Sequence, residues 1–255
     1  MTKASSEQLS QQPLTGKVAL VTGAAGGLGS SICKALRDDG AEVLGVDIVG
    51  DSVFQADIGT DAGTQASVDE TLRRFGRLDI VVPNAAVQHV APLPDFATAE
   101  WDRVMDVVLK GPFMLIRAAW PALIRQPGGR VIAIASTSAV LAEPYKAAYV
   151  AAKHGVVGLV KVAAAEGGQY GLTANAVSPG LMMTGLIEHQ LAEQARLRGR
   201  TEQEILDTWC AGQAVKRPVD TMEVAAVVAF LAGPRSSGIT GVALPVDLGE
   251  LACTE

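Results

Sequence analysis

The 255-residue sequence is poor in cysteine: Cys33, Cys210 and Cys253 are the only three. An odd number without paired spacing argues against a disulfide framework or a cysteine metal site, and fits free thiols in a reducing compartment. Basic clusters are missing too. The net charge is −6 and the pI about 5.2, which argues against nucleic-acid or anionic-membrane partners. No apolar run approaches the roughly 20 residues needed to cross a bilayer. Residues 1–13 lack the apolar core of a signal peptide. A cytoplasmic protein with no metal is expected. Beyond that tail there is no linker, repeat or low-complexity segment, so 14–255 reads as one domain.

What is present is apolar surface. Hydrophobic residues make up 49% and the mean hydropathy is +0.27. That suits buried parallel strands and apolar subunit interfaces. Apolar strand runs at Lys17–Thr22, Glu42–Asp47, Leu78–Pro83, Arg130–Ala135, Leu172–Val177 and Val242–Val246 alternate with helical stretches. The helices are expected at Gly29–Gly40, Ala62–Phe75, Ala97–Trp120 (one or two), around Tyr149, and at Glu223–Gly233. Such alternation predicts an α/β fold: a doubly wound, Rossmann-like sheet of seven parallel strands with helices on both faces. Polar, helical 184–215 reads as a small substrate lid, where binding loops of open α/β sheets lie. Leu206 and Trp209 could form its apolar underside.

The first strand runs into Thr22-Gly23-Ala24-Ala25-Gly26-Gly27-Leu28-Gly29 and then a helix. Glycines in a strand–turn–helix context let backbone N–H groups approach a pyrophosphate at the helix N-terminus. Asp47 ends the second strand, where an acid accepts hydrogen bonds from ribose hydroxyls and repels a 2′-phosphate. No Arg or Lys follows it before Arg73. NAD is therefore expected over NADP. Asp57 is placed near the adenine.

Tyr149 and Lys153 lie four apart in a proline-free helical stretch, so they share a face. An adjacent ammonium favours the phenolate and lowers the tyrosine pKa from about 10. A phenol tuned that way can exchange a proton with an alcohol. With a hydride carrier nearby, this predicts carbonyl–alcohol redox chemistry.

These features together resemble the short-chain dehydrogenase/reductase family over about residues 14–250. Gly23, Gly27 and Gly29 match its cofactor loop. Pro83-Asn84-Ala85-Ala86 stands for its Asn-Asn-Ala-Gly, and Ser136 lies 13 residues before Tyr149. Ser178-Pro179-Gly180 and Thr184 match the segment that contacts the nicotinamide, and Val246-Asp247-Leu248-Gly249 the terminal Val-Asp-Gly-Gly. The resemblance implies a catalytic set of Ser136, Tyr149 and Lys153. Tyr149 would be base or acid, Lys153 would tune it and hold the nicotinamide ribose, and Ser136 would stabilise charge on the substrate oxygen. It also implies cofactor contacts from Leu28, Ile58, Asn84, Ala85, Pro179, Gly180 and Thr184. Val108 stands where the family has an Asn that holds a water on the proton path. Ala86 replaces a glycine.

Within the family the chain is most similar to (R)-3-hydroxybutyrate dehydrogenases. That implies a carboxylate site made by Gln88, Lys146 and Gln190, with Ser138 in place of a fourth ligand, a histidine. The lost histidine and Leu181-Met182-Met183 at the rim leave room for a bulkier alicyclic alcohol. Val108 and Ala86 leave a catalytically degraded NAD(H) sensor as a third reading. The Tyr149 helix, apolar on more than one face, is expected to meet a second subunit; the resemblance implies a homotetramer, a homodimer being the alternative.

Overall fold

Val18–Thr22 divides its side chains between two cores, and that division sets the plan of the molecule. Ala19 and Val21 enter one apolar cluster and Leu20 the other. The same period-2 split recurs at Ile80–Val82 and Arg130–Ile134: Ile80, Val82, Ile132 and Ile134 on one side, Val81, Val131 and Ala133 on the other. Strands buried on both faces belong to parallel sheets clothed in helices.

In a computed structural model that describes residues 12–125 and 127–253, these strands form a seven-stranded parallel sheet. They are β1 (Val18–Thr22), β2 (Glu42–Asp47), β3 (Phe54–Gln55), β4 (Ile80–Val82), β5 (Arg130–Ile134), β6 (Thr173–Pro179) and β7 (Ala243–Val246). Their order is β3-β2-β1-β4-β5-β6-β7. The fold is the doubly wound, Rossmann-like sheet the alternation predicts. Six strands fall on the expected runs. The seventh, β3, is two residues pairing Val46 and Asp47, too short to show as an apolar run. β6 extends two residues past the expected Val177, because Ser178 and Pro179 still pair with β7.

Helices α1 (Gly27–Asp38) and α8 (Thr221–Ala232) pack on one face. Helices α2 (Asp61–Phe75), α4 (Gly111–Leu123) and α5 (Ala147–Gly167) pack on the other. α1 starts two residues before the expected Gly29. α3 (Thr98–Met105) passes through a π-helical turn at Asp106–Lys110 into α4. The polar stretch after β6 forms α6 (Gly185–Arg198) and α7 (Glu202–Ala211). α7 is capped reciprocally by Thr201 and Glu204. Residues 1–11 of the expected tail lie outside the described residues, while the Gln12 amide donates to the Asp38 carbonyl at 2.7 Å.

By length and a mean hydropathy of 1.2, the stretch Ala147–Tyr170 could span a membrane. Here Ala148, Ala152, Val156 and Val160 are buried within the chain's own core. β1 turns to β2 on one side and β4 on the other. The connections leaving β1 and β4 diverge, and a crevice opens at the C-terminal strand ends.

Candidate active site

That crevice is a cleft of about 710 Å³. Gly23, Gly27, Leu28 and Gly29 line one end, at the start of α1. Gly23 is left-handed, with φ 67°, and a Cβ there would stand 2.8 Å from the Ala85 Cα. At Gly29 a Cβ would come within 2.0 Å of the Gly23 carbonyl oxygen. Only glycine fits either place. α1 has no side-chain cap at Gly26, so its first N–H groups face the cleft as an anion cradle. Asp47 sits beside it: its carboxylate accepts from the Ala25 N–H at 3.0 Å and the Ile48 N–H at 2.7 Å.

Asp57, Ile58, Asn84 and Ala85 line the same cleft. Asp57 accepts from the Gly59 N–H at 2.9 Å. The Asn84 amide is committed: it donates to the Thr22 carbonyl at 2.8 Å, and both the Asn84 and Ala85 N–H groups donate to the Thr22 hydroxyl. Asn84 thus ties β4 to the glycine loop. Pro179, Gly180 and Thr184 close the cleft from the end of β6. An uncapped helix start, a glycine cradle and an acid on β2 fit a dinucleotide.

Ser136, Tyr149 and Lys153 converge on the cleft floor. Ser136 follows β5, and its Oγ accepts from the Ser138 N–H at 3.1 Å. Lys153 is buried, and its ammonium donates to the Ile134 carbonyl at 2.6 Å. It stands 5.4 Å from the Tyr149 ring centre. The pKa directions differ from the sequence expectation. Burial pushes the Lys153 amine down to about 7. The Tyr149 phenol is raised, not lowered, by burial first and by the Glu143 charge second, with a hydrogen bond from Ser136 opposing. Desolvation is the leading cause for both groups, disfavouring the charged form of each.

Val108, at the expected Asn position, lies in the π-helical turn. It is buried against Val104, Ala148 and Ala152. Asp106 is turned outward, accepting from Lys110 at 3.1 Å on the surface.

Gln88, Ser138 and Lys146 line the far end of the cleft. Gln190 is buried with both amide atoms unpartnered and is not part of the lining. Three residues without any motif join this end: Glu143, Arg198 and Glu250. Glu143 receives the Lys146 ammonium and the Ser138 hydroxyl, one on each oxygen. Burial alone would raise the Glu143 carboxyl, but the charge and hydrogen bond of Lys146, with Ser138 and Arg198, hold it below the usual range. The Glu250 carboxyl is raised by burial and by Glu143, against a hydrogen bond from Thr137. Only Glu143 had a visible sign, its place three residues before Lys146.

Comparison with known proteins agrees with this geometry. The family profile described as "Enoyl-(Acyl carrier protein) reductase" matches residues 23–250. A D-beta-hydroxybutyrate dehydrogenase of Rhizobium meliloti is 36% identical, the match covering 92% of this chain and 99% of the relative. A D-threitol dehydrogenase of Mycolicibacterium smegmatis is 34% identical over 92% of this chain and 93% of its own. The crystal structure of a levodione reductase superposes with a TM-score of 0.89 at 30% identity, covering 94% of this chain and all of the other. The chain belongs to the short-chain dehydrogenase/reductase family of nicotinamide-dependent oxidoreductases.

Proposed function

We propose that this chain is an NAD(H)-dependent dehydrogenase that interconverts a secondary alcohol and a ketone through Ser136, Tyr149 and Lys153. The observation that carries this is the meeting of those three side chains with the glycine loop in one cleft. Bound nicotinamide supplies the hydride acceptor in oxidation, the donor in reduction, and a positive charge when oxidised. Tyr149 takes the hydroxyl proton in oxidation and returns it in reduction. Ser136 donates to the substrate oxygen. Lys153 stands beside the phenol, where its charged form would favour the phenolate.

Gly23, Gly27, Leu28 and Gly29 would hold the pyrophosphate and Asp47 the ribose. Asp57 and Ile58 would border the adenine; Asn84, Ala85, Pro179, Gly180 and Thr184 would border the nicotinamide half. NAD is preferred in this reading because Asp47 stands at the ribose. The basic lining residues, Lys146, Lys153 and Arg198, gather towards Tyr149 and Glu143.

The relatives' names span a hydroxybutyrate, threitol and levodione, so the substrate is argued from the lining. Gln88, Ser138 and Lys146 favour a small polar alcohol, of which 3-hydroxy acids are one form. A bulkier alicyclic alcohol is the second reading, favoured by Leu181, Met182 and Ile187 in the lining. α6 and α7 would act as the lid, with Trp209 facing the cleft. Exposed Phe113 on α4 and Val162 on α5 suit a homotetramer, and a cytoplasmic setting accords with free thiols.

Tyr149→Phe should lower kcat by about a thousandfold, the middle of the range for a general acid–base, while NADH titration by fluorescence stays within about twofold of the parent. A protein that binds NADH yet turns over no alcohol or ketone would instead be a dinucleotide sensor.

A further inference from the structure

At the substrate end of the cleft the exposed charge is an acid and the buried one is an amine. The Glu143 side chain is 35% exposed, and that of Lys146 only 6%. Lys146 is held from two sides: its ammonium donates to Glu143 and lies 5.6 Å from the centre of the Trp209 ring. A substrate entering here meets the Glu143 carboxylate first, with the amine behind it and already paired.

Lys153 beside Tyr149 apart, the charges lining this end balance. Glu250 adds a second carboxyl. Arg198 adds a second cation, set over the Tyr145 ring at 5.8 Å, its Nε donating to Gln194 at 2.9 Å. Two acids thus face two cations. A carboxylate brought here would add an unmatched charge beside Glu143, in surroundings where charge is costly to bury. Two polar atoms at this end lack partners, and both are buried beneath the cleft surface. The Gln88 Nε2 is an unpartnered donor, and the Glu250 Oε2 an unpartnered acceptor. A neutral hydroxyl would add no charge at this end, whereas a carboxylate would.

Resting on the dehydrogenase reading above, we propose that the substrate is a neutral polyhydroxylated alcohol or its ketone, selected by Glu143, and not a hydroxy acid. Glu143 is the specificity-determining residue: by neutralising Lys146 it turns an anion site into a hydroxyl site.

The test compares kcat/KM with NAD for matched pairs of equal carbon number: 1,3-butanediol against 3-hydroxybutyrate, erythritol against erythronate, sorbitol against gluconate. The unmodified enzyme should favour the neutral member of the pairs it oxidises by at least about tenfold, some 1.4 kcal/mol. Glu143→Gln, which frees the Lys146 ammonium, should cut that preference by at least about tenfold. Preference of the unmodified enzyme for the carboxylates would overturn the inference and leave the dehydrogenase intact. So would a neutral-to-acid ratio unmoved by Glu143→Gln in a variant that still binds NADH. No oxidation of any member by protein that binds NADH would overturn the inference; the dehydrogenase reading would fall with it only if alicyclic alcohols and ketones were not turned over either.

Discussion

Asp47 shows how one side chain can serve the fold and the ligand together. Its two oxygens hold the Ala25 and Ile48 N–H groups, which fixes the glycine loop against β2. The same carboxylate would repel a 2′-phosphate. NADH should therefore bind at least about tenfold more tightly than NADPH, and Asp47→Ser should narrow that ratio by about the same factor. Because the variant also loosens the loop, the readout is the ratio of the two affinities by fluorescence titration; equal affinities in the parent would refute the assignment. Other residues depart from their sequence reading for one reason. The i,i+4 spacing of Tyr149 and Lys153 is visible in sequence, but how much water reaches them is not. Spacing implies a lowered phenol pKa; burial reverses it. Lys146 is likewise legible as a cleft residue, while its engagement by Glu143 depends on a turn geometry that no pattern encodes.

At the scale of elements, strands announce themselves where both faces are buried, and the cofactor loop where glycine is forced by close approach. What stays hidden is either too short or too local. β3 is two residues long. The π-helical turn at Asp106–Lys110 has no composition that sets it apart from ordinary helix. Such turns frequently mark functional sites, and this one places Val108 against Ala148 and Ala152 of α5, neighbours of Tyr149 and Lys153. Val108 offers no hydrogen bond where an Asn could hold a water. Val108→Asn should raise kcat if proton exit limits turnover, measured as a steady-state rate with a solvent isotope effect that shrinks in the variant. An unchanged rate and isotope effect would mean that protons leave by another path. The Asn would enter a site only 1% exposed, so a loss of thermal stability of about 1–3 kcal/mol is also expected.

For the whole molecule, the substrate end is assembled from distant stretches of chain. Gln88 follows β4, Ser138 and Glu143 follow β5, Arg198 ends α6, and Glu250 lies close to the C-terminus. Sequence reading could name those members that sit at family positions. It could not name Arg198 or Glu250, which become neighbours only once the sheet is wound, and for Glu143 it offered only nearness to Lys146 along the chain. The expected surface for assembly is more distributed still. Phe113 is 45% exposed and Val162 52%, large apolar side chains on two helices that cover the same face of the sheet. Sedimentation should give four 26.4-kDa chains per particle, and Phe113→Glu with Val162→Glu should yield smaller species. A monomer in the parent would refute this surface.

Helix α5 joins the smallest and largest of these scales. It is 21 residues long, a rod of about 30 Å at 1.5 Å per residue. Tyr149 sits in its first turn, Lys153 in its second, and Val162 faces outward further along. A rod braced by a neighbouring chain at one end holds its other end still, and one released from that brace can tilt. In the proposed tetramer, the spacing of phenol, amine and strand carbonyl would be a property of the assembly as well as of the chain. On dilution, turnover should decline in step with dissociation, before any loss of helical signal.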